Sequence, residues 1–345
     1  MITKSSSLLV VGAGAIGGIT AALLKKDGYN VEIVCKYDDY AKLIESDGIE
    51  ISGACGSFKI SMKAYASVKD VKGKKDLVFH ATKAAEMIEA ARDIRSVLSD
   101  EGKVISMQNG ICEDDLAEVL GKERVIGCIT GWGGTMLSQG RLEMTSTGDF
   151  VIGYTDRKAD EYLTGVGKIM SSVVPVRISD NIIGHLYSKL IVNACITSLG
   201  AICGLYLGRM LSVRKVRNIF IEIIREAVAV AEKMEINIEV FGGRLDFKKF
   251  VEGAGFSASL KRHAMLRIMG FKYRRLKSSS LQSLERGKTT EVDYFNGYIA
   301  RNGKKLNVDA PINALIAEMI HEIEQGRREI AFSNFSDPRF DKFNS

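Results

Sequence analysis

Four polar residues recur at a spacing of four within an apolar stretch: His185, Lys189, Asn193 and Thr197. A helix brings residues four apart onto one side, so the spacing predicts a polar stripe on a helix otherwise rich in Leu, Ile, Val and Cys. Burying an ammonium and an amide there is costly unless each has a partner or a task. The stripe therefore marks the lining of a site. The plainer reading has Lys189 reaching water and Asn193 capping a neighbour. A second group lies near the N-terminus, in Gly12-Ala13-Gly14-Ala15-Ile16-Gly17. An apolar run, residues 8–11, precedes it, and a helix-forming run, residues 19–26, follows. Glycines at this spacing between a strand and a helix suit a dinucleotide. Gly12 permits the tight turn, Gly14 lets a pyrophosphate approach the backbone, and Gly17 lets helix and strand pack closely. The helix start supplies N–H groups and a partial positive charge for phosphates.

Three further residues stand at the ends of predicted strands, where open α/β sheets bind ligands. Lys36 follows the strand predicted at 31–35, at the position where NAD-binding chains place a carboxylate. A cation there favours a 2′-phosphate, and hence NADP; a solvated surface lysine is the alternative, and Asp38 and Asp39 lie close by. Lys83 follows the strand predicted at 77–81. Asn109 follows the strand at 104–107, and an asparagine before glycine serves either a turn or a ligand.

The elements that must carry these residues alternate. Strands are expected at 8–11, 31–35, 77–81, 104–107 and 125–130, with the alternating stretch 141–153 completing the sheet and 173–176 as its last strand. A helix is expected at 84–98. After Ser179-Asp180 the pattern becomes helical, over 181–207, 212–235, 244–270, 277–286, 290–301 and 311–328. The predicted fold class is α/β: an N-terminal Rossmann-type doubly wound sheet at 1–179, then an all-α domain at 180–330. Residues 331–345 read as a loose tail.

Composition narrows the class. Among 345 residues, 46% are hydrophobic and 26% charged, which excludes a disordered chain and allows about two domains. The formal charge of +6 is mild and suits a small acidic molecule. The six cysteines form no C-x-x-C pair and read as buried, reduced thiols of a cytoplasmic protein. With a polar start, no signal peptide is expected. Residues 190–208 carry no charge and are nearly long enough to cross a bilayer, yet a helix buried inside the protein is the expectation. No His, Cys and carboxylate cluster has metal spacing, and no His–Asp pair stands out, so neither a metal nor a lactate-type proton relay is expected. Residues 244–277 hold ten Lys and Arg against Asp246 and Glu252, a net +8. They read as a solvated face, or as a surface for an extended anionic substrate or acidic partner. With few interleaved aromatics, nucleic acid is not expected.

Together these residues resemble the ketopantoate reductase (2-dehydropantoate 2-reductase) family. The resemblance rests on the glycine turn, Lys36, Thr82-Lys83, Gln108-Asn109-Gly110, the run from Tyr187 to Asn193, Ser278 to Gln282, and Thr290 to Gly297, in the family's order over nearly the whole chain. It implies NADPH-dependent reduction of 2-dehydropantoate to pantoate in pantothenate and coenzyme A biosynthesis. Lys189 then matches the general acid and Glu291 the carboxylate that orients the substrate oxygen. Ser279 matches a contact to the substrate carboxylate, and Asn193 a substrate-pocket residue. Asn109 and Lys83 match residues beside the nicotinamide and substrate. Gly12, Gly14, Ala15, Ile16, Gly17, Lys36, Lys83, Asn109 and Glu291 are the implied cofactor contacts. Asn109, Asn193, Thr197 and Ser279 are the implied substrate contacts. A homodimer through the helical domain is compatible with this layout. Two features depart from the family's pattern. Thr197 stands where a second asparagine is frequent, and the basic segment 244–277 is longer than in compact members. The alternatives kept open are an NADP-dependent reductase or opine-type dehydrogenase for another 2-oxo acid, and a non-catalytic NADP sensor.

Overall fold

The computed structural model describes residues 2–343. The chain divides after Ile182 into two compact units. The N-terminal unit runs β1 (Leu8–Val11), α1 (Ala15–Lys26), β2 (Val31–Val34), α2 (Asp38–Ser46), β3 (Ile49–Gly53), β4 (Phe58–Ile60), β5 (Ala64–Tyr65), β6 (Lys75–His80), α3 (Met87–Val97), β7 (Leu98–Ser106), α4 (Glu113–Leu120), β8 (Val125–Thr130), β9 (Gly133–Ser138), β10 (Arg141–Ser146), β11 (Phe150–Tyr154), α5 (Glu161–Met170) and β12 (Val176–Ile178).

Eight strands form the main sheet, in the order β12-β11-β8-β7-β6-β1-β2-β5. The run Leu8-Leu9-Val10-Val11 is buried throughout, as a strand covered on both faces must be. β1 pairs in parallel with β2 on one side and β6 on the other. The chain thus reverses its direction of travel across the sheet at β1, and the glycine turn leaves from the carboxyl end of that strand. Such a switch point is where doubly wound sheets take ligands.

Two expectations for this sheet need correction. The stretch 141–153 is not one strand of the main sheet. β10 pairs with β3 and β9 in a separate four-stranded sheet, and only β11 returns to the main one, antiparallel to β8. The reason is visible in the side chains. Leu142 and Met144 are buried while Arg141 and Thr145 are exposed, a one-sided pattern that suits a sheet lying over one helix. That helix is α1, for a Cβ on Gly18 would lie 2.4 Å from a methyl of Leu142. The last strand is β12 at 176–178 rather than 173–176. Pro175 has no N–H to give the ladder, and its carbonyl accepts from the Phe150 N–H at 2.8 Å.

The C-terminal unit is helical: α6 (Ile182–Cys203), α7 (Leu207–Ser212), α8 (Arg214–Lys233), α9 (Phe247–Val251), α10 (Phe256–Lys272), α11 (Ser279–Glu285), α12 (Asn296–Leu306) and α13 (Pro311–Glu324). α6 is long and apolar enough to cross a membrane, and it is mostly buried within the protein. It stops at Gly204, whose φ of 72° ends the helix before α7. The single helix expected at 244–270 is two, because Gly253 and Gly255 take φ of 84° and 88° between α9 and α10. The helix expected at 290–301 starts at Asn296, after a tight 3-10 turn at Val292–Tyr294. The described part of 331–345 is not a loose tail. It forms turns at Phe332–Ser336 and Pro338–Phe343 that bury Phe335 and Phe340, and the Ala331 N–H and the Asn334 amide both donate to the Ile202 carbonyl at the end of α6. Five of the six cysteines are buried and Cys55 is half-buried; all six are free thiols.

Candidate active site

The glycine turn is built as its spacing predicts. Gly12 has φ of 110°, and a Cβ there would lie 2.7 Å from the Ala81 carbonyl carbon. A Cβ on Gly17 would meet the Gly12 carbonyl oxygen at 2.0 Å. Both glycines are required by the fold itself. Gly14 is different: it precedes α1 with φ of −72°, and a Cβ there would meet no protein atom within 4 Å. Nothing in the protein demands a glycine at that position, whereas a pyrophosphate against the backbone does. Ala15 and Ile16 form the first turn of α1, which contains no acidic residue to cancel its positive end. The residues therefore fit a dinucleotide.

A groove of about 510 Å³ opens beside this turn. It brings together Gly12, Gly14, Lys36 and Lys83 with Tyr37, Tyr40, Ser67, Thr82 and Glu86. Lys36 is exposed and pairs with Glu86 at 3.0 Å, which raises the pKa of its ammonium. Sequence reasoning missed Glu86, fifty residues away with no motif around it. It also missed Tyr37, whose exposed ring offers a flat face to a base, and Tyr40, which donates to the Ala13 carbonyl at 3.2 Å and props the glycine turn. Lys83 stands at the N-cap position of the short turn Ala84–Glu86 that follows β6, without a side-chain capping bond. Its neighbour Thr82 shares a hydrogen bond of 3.0 Å with Nε2 of His80. His80 is fully buried, and burial lowers its pKa to about 4, so the ring is neutral.

Asn109 stands outside this groove, half-buried after the end of β7. Gly110 turns the chain there with φ of 94°. The loop is pinned from behind. The Asn109 carbonyl accepts from the Cys112 thiol at 3.8 Å, and the Glu113 carboxyl accepts from the Cys112 N–H at 2.9 Å. Glu113 is wholly buried, and desolvation raises its pKa to about 7.

In the C-terminal unit, Lys189, Asn193 and Thr197 do share one side of α6. Lys189 and Asn193 are half-buried and Thr197 is buried. The Thr197 hydroxyl donates back to the Asn193 carbonyl at 2.8 Å, so its proton is committed to the helix. The Thr197 carbonyl accepts from the Ser278 hydroxyl at 2.6 Å. That same hydroxyl accepts from the Leu281 N–H at 3.0 Å and caps α11. A Cβ on Gly200 would lie 2.5 Å from the Ser278 Cβ, so glycine allows this approach. Ser279, the exposed first residue of α11, is thereby fixed at the end of the polar stripe.

Glu291 precedes the 3-10 turn and is half-buried. No His–Asp pair stands out in the sequence, but the fold brings one together here. His321 lies 3.0 Å from Asp293 through Nε2 and 3.1 Å from Glu324 through Nδ1. Burial pulls its pKa down, but Glu324 and Asp293 outweigh this and the net shift is upward. The partners come from separate segments, which is why spacing did not show them. With the Thr290 N–H donating to Glu324 at 2.7 Å, the pair holds the turn that presents Glu291. Beyond it, Asn296 is fully buried. Its amide donates to the Ala194 carbonyl of α6 at 3.2 Å and to Asn313 at 2.9 Å, while its oxygen accepts from Ser198. Asn313 donates in turn to Glu226 at 2.8 Å. This buried network clamps α6, α8, α12 and α13 and fixes the helix that carries Lys189.

A doubly wound sheet with a phosphate-binding glycine turn, followed by a helical unit whose central helix bears a polar stripe, defines a dinucleotide-dependent oxidoreductase. Residues 8–157 match the family model for ketopantoate reductase PanE/ApbA, and residues 181–324 match that for its C-terminal part. The chain belongs to the ketopantoate reductase family, as the sequence resemblance implied, and is an oxidoreductase acting on CH–OH groups. It is 29% identical over 315 residues to a 2-dehydropantoate 2-reductase of Pyrococcus abyssi, covering 91% of this chain and 96% of the relative. It is 24% identical to that of Lactococcus lactis, covering 92% and 98%. Among solved structures it is similar to a PanE/ApbA family ketopantoate reductase from Ralstonia eutropha JMP134, with a TM-score of 0.78 and 25% identity over 93% of this chain and 100% of that one. The fold is also shared with D-mandelate dehydrogenase, solved with NADH and anilino(oxo)acetate, at a TM-score of 0.79 and 20% identity over 93% and 99%.

Proposed function

We propose that the protein reduces 2-dehydropantoate to pantoate with NADPH, a step of pantothenate and coenzyme A biosynthesis. The observation that carries the reading is the polar stripe of Lys189 and Asn193 on an otherwise apolar, clamped helix, in a chain of this family. When bound, the nicotinamide would supply the hydride that the ketone carbon accepts. Negative charge then grows on the ketone oxygen, and the Lys189 ammonium neutralises it and gives up a proton to it. Glu291 orients that oxygen, Asn193 holds the substrate, and the Ser279 hydroxyl bonds its carboxylate. Gly12, Gly14, the α1 start, Lys83 and Asn109 hold the dinucleotide. Lys36 selects NADPH by pairing with the 2′-phosphate, a role for which it must exchange Glu86 for the phosphate.

Thr197 favours a second reading within the same chemistry. Its hydroxyl is committed to the Asn193 carbonyl, so the stripe ends without the amide that is frequent in the family at that place. A 2-oxo acid with a bulkier, less hydroxylated side chain suits that wall. NADPH oxidation against a panel of 2-oxo acids tests both readings. The proposal expects the highest kcat/KM with 2-dehydropantoate. A higher value with a branched or aromatic 2-oxo acid transfers the assignment to that substrate, and no oxidation with any member refutes the reductase reading.

A further inference from the structure

The C-terminal unit holds a second cavity that the reduction does not use. α7 and α10 approach closely because glycine stands at both crossings. A Cβ on Gly208 would lie 2.7 Å from the Arg274 Cβ, and one on Gly270 would lie 2.9 Å from the Leu211 Cβ. The turn after α10 is fastened back onto α7, where the Leu207 N–H donates to the Leu276 carbonyl at 3.0 Å. Between these elements opens a pocket of about 430 Å³, lined by Arg209, Arg267, Arg274 and Arg275 with Ser212 and Phe271. Among the described residues, no carboxylate lines it.

The frame of the pocket is stiff. Arg217 closes the end of α7, donating from Nη1 to the Leu211 and Ser212 carbonyls at 2.8 and 2.9 Å, and from Nε to Nδ1 of His263 at 3.1 Å. The surroundings are strongly positive. Burial, then Arg267 and Arg214, hold the pKa of Arg217 below its ordinary value. Burial, then Arg217, Arg214 and Arg262, do the same to His263. The four arginines that line the pocket are exposed, so an entering anion meets their positive charge with no carboxylate among the lining residues to compete for it. Guanidinium forks match the paired oxygens of a phosphoryl group, and four of them suit a ligand with more than one negative charge.

We propose that the pocket between α7 and α10 binds the phosphoryl group of a phosphorylated ligand. Two sources offer this chemistry. A soluble phosphate ester would occupy the pocket alone. A phospholipid would also engage the outer face of α10, where Phe256, Leu260, Ile268 and Phe271 are 81%, 59%, 68% and 73% exposed.

The test uses the full chain with NADPH in excess, so that the glycine-turn groove is filled. One arm is calorimetric titration with inorganic pyrophosphate. The other is co-sedimentation with phosphatidylcholine vesicles, with and without phosphatidic acid. Each is repeated on the pair Arg267→Gln and Arg275→Gln, and on the control pair Lys248→Gln and Lys249→Gln, which removes equal charge from α9 outside the pocket. Far-ultraviolet circular dichroism verifies the fold of each. The expected result is binding in at least one arm, weakened about tenfold or more by the arginine pair and about twofold or less by the lysine pair. Pyrophosphate binding identifies a soluble ester as the source; binding only to vesicles with phosphatidic acid identifies a lipid. Absence of binding in both arms, or equal losses in the two pairs, overturns the proposal.

Discussion

The three glycines of the turn after β1 answer to different constraints, and alanine separates them. Gly17→Ala forces a Cβ onto the Gly12 carbonyl and should cost about 1–3 kcal/mol or more, read as a fall in the denaturation midpoint. Gly14→Ala meets only open space at an ordinary φ, so the midpoint should hold while nucleotide affinity falls about tenfold or more in a fluorescence titration. Loss of stability in Gly14→Ala would show that this glycine serves the fold instead. Lys36→Asp replaces one of the two lysines that line the groove with a second carboxylate beside Glu86. The ratio of kcat/KM for NADPH over NADH should drop about tenfold or more, and an unchanged ratio would remove Lys36 from cofactor choice. These residues were legible because strand, turn and helix follow one another within a few positions. Glu86 beside Lys36, Tyr40 beneath the turn and His321 beside Asp293 were not, because each pair joins segments far apart in the chain. Burial of Thr197 was implied by its place on the stripe, but the commitment of its hydroxyl to the helix was not.

At the scale of elements, periodicity revealed which segments are helices and strands better than where they stop or which sheet they join. β10 alternates as the expected strand did, yet its one-sided burial sends it to the sheet over α1. Helices α9 and α10 read as one although Glu252-Gly253-Ala254-Gly255 stands between them, because the two glycines separate the helices through their φ, which no periodicity records. The polar clamp was equally hidden: Asn296 belongs to the motif that carries the resemblance, but only the fold brings it to Ala194, Ser198 and Asn313. Asn296→Ala should cost about 1–3 kcal/mol for each group left unpaired, measured by urea denaturation; a neutral change would show that water replaces the amide. β6 yields a pH prediction. His80 titrates near 4 when folded and near the ordinary 6.5 when unfolded. Between those values the unfolded state binds the extra proton, so this residue lowers stability as pH falls. Glu113 and Glu226, both raised to about 7 by burial, act in the opposite direction, losing stability as pH rises from about 4.5 to 7. The difference between wild type and His80→Gln isolates the histidine. The drop in melting temperature from about pH 7 to about pH 5 should be smaller in the variant, and an equal drop would contradict the assignment.

For the whole molecule, the described residues that follow residue 330 belong to the fold. Phe335 packs edge-on to Phe332 at 5.7 Å between ring centres and lies 6.2 Å from Phe340, and Asp337 pairs with Arg339 at 2.8 Å. Polar and aromatic residues without a period suggested a tail, because contacts with the end of α6 leave no local pattern. Ending the chain at residue 330 should cost about 3 kcal/mol or more, the worth of two buried phenylalanines, and an unchanged melting temperature would contradict this. The division of labour between the units leads to the decisive test. The glycine turn and its groove belong to the N-terminal unit, and the Lys189 stripe belongs to the C-terminal one. Removing the lysine should therefore leave nucleotide binding intact while stopping the chemistry. Lys189→Met keeps the apolar stem, so packing on α6 is preserved. The measurement is turnover of 2-dehydropantoate, or of the best 2-oxo acid found, by wild type and Lys189→Met with NADPH saturating. The expected result is unchanged NADPH affinity with kcat lowered by roughly 10²–10⁴. Wild-type turnover in Lys189→Met would contradict the account and make the stripe structural.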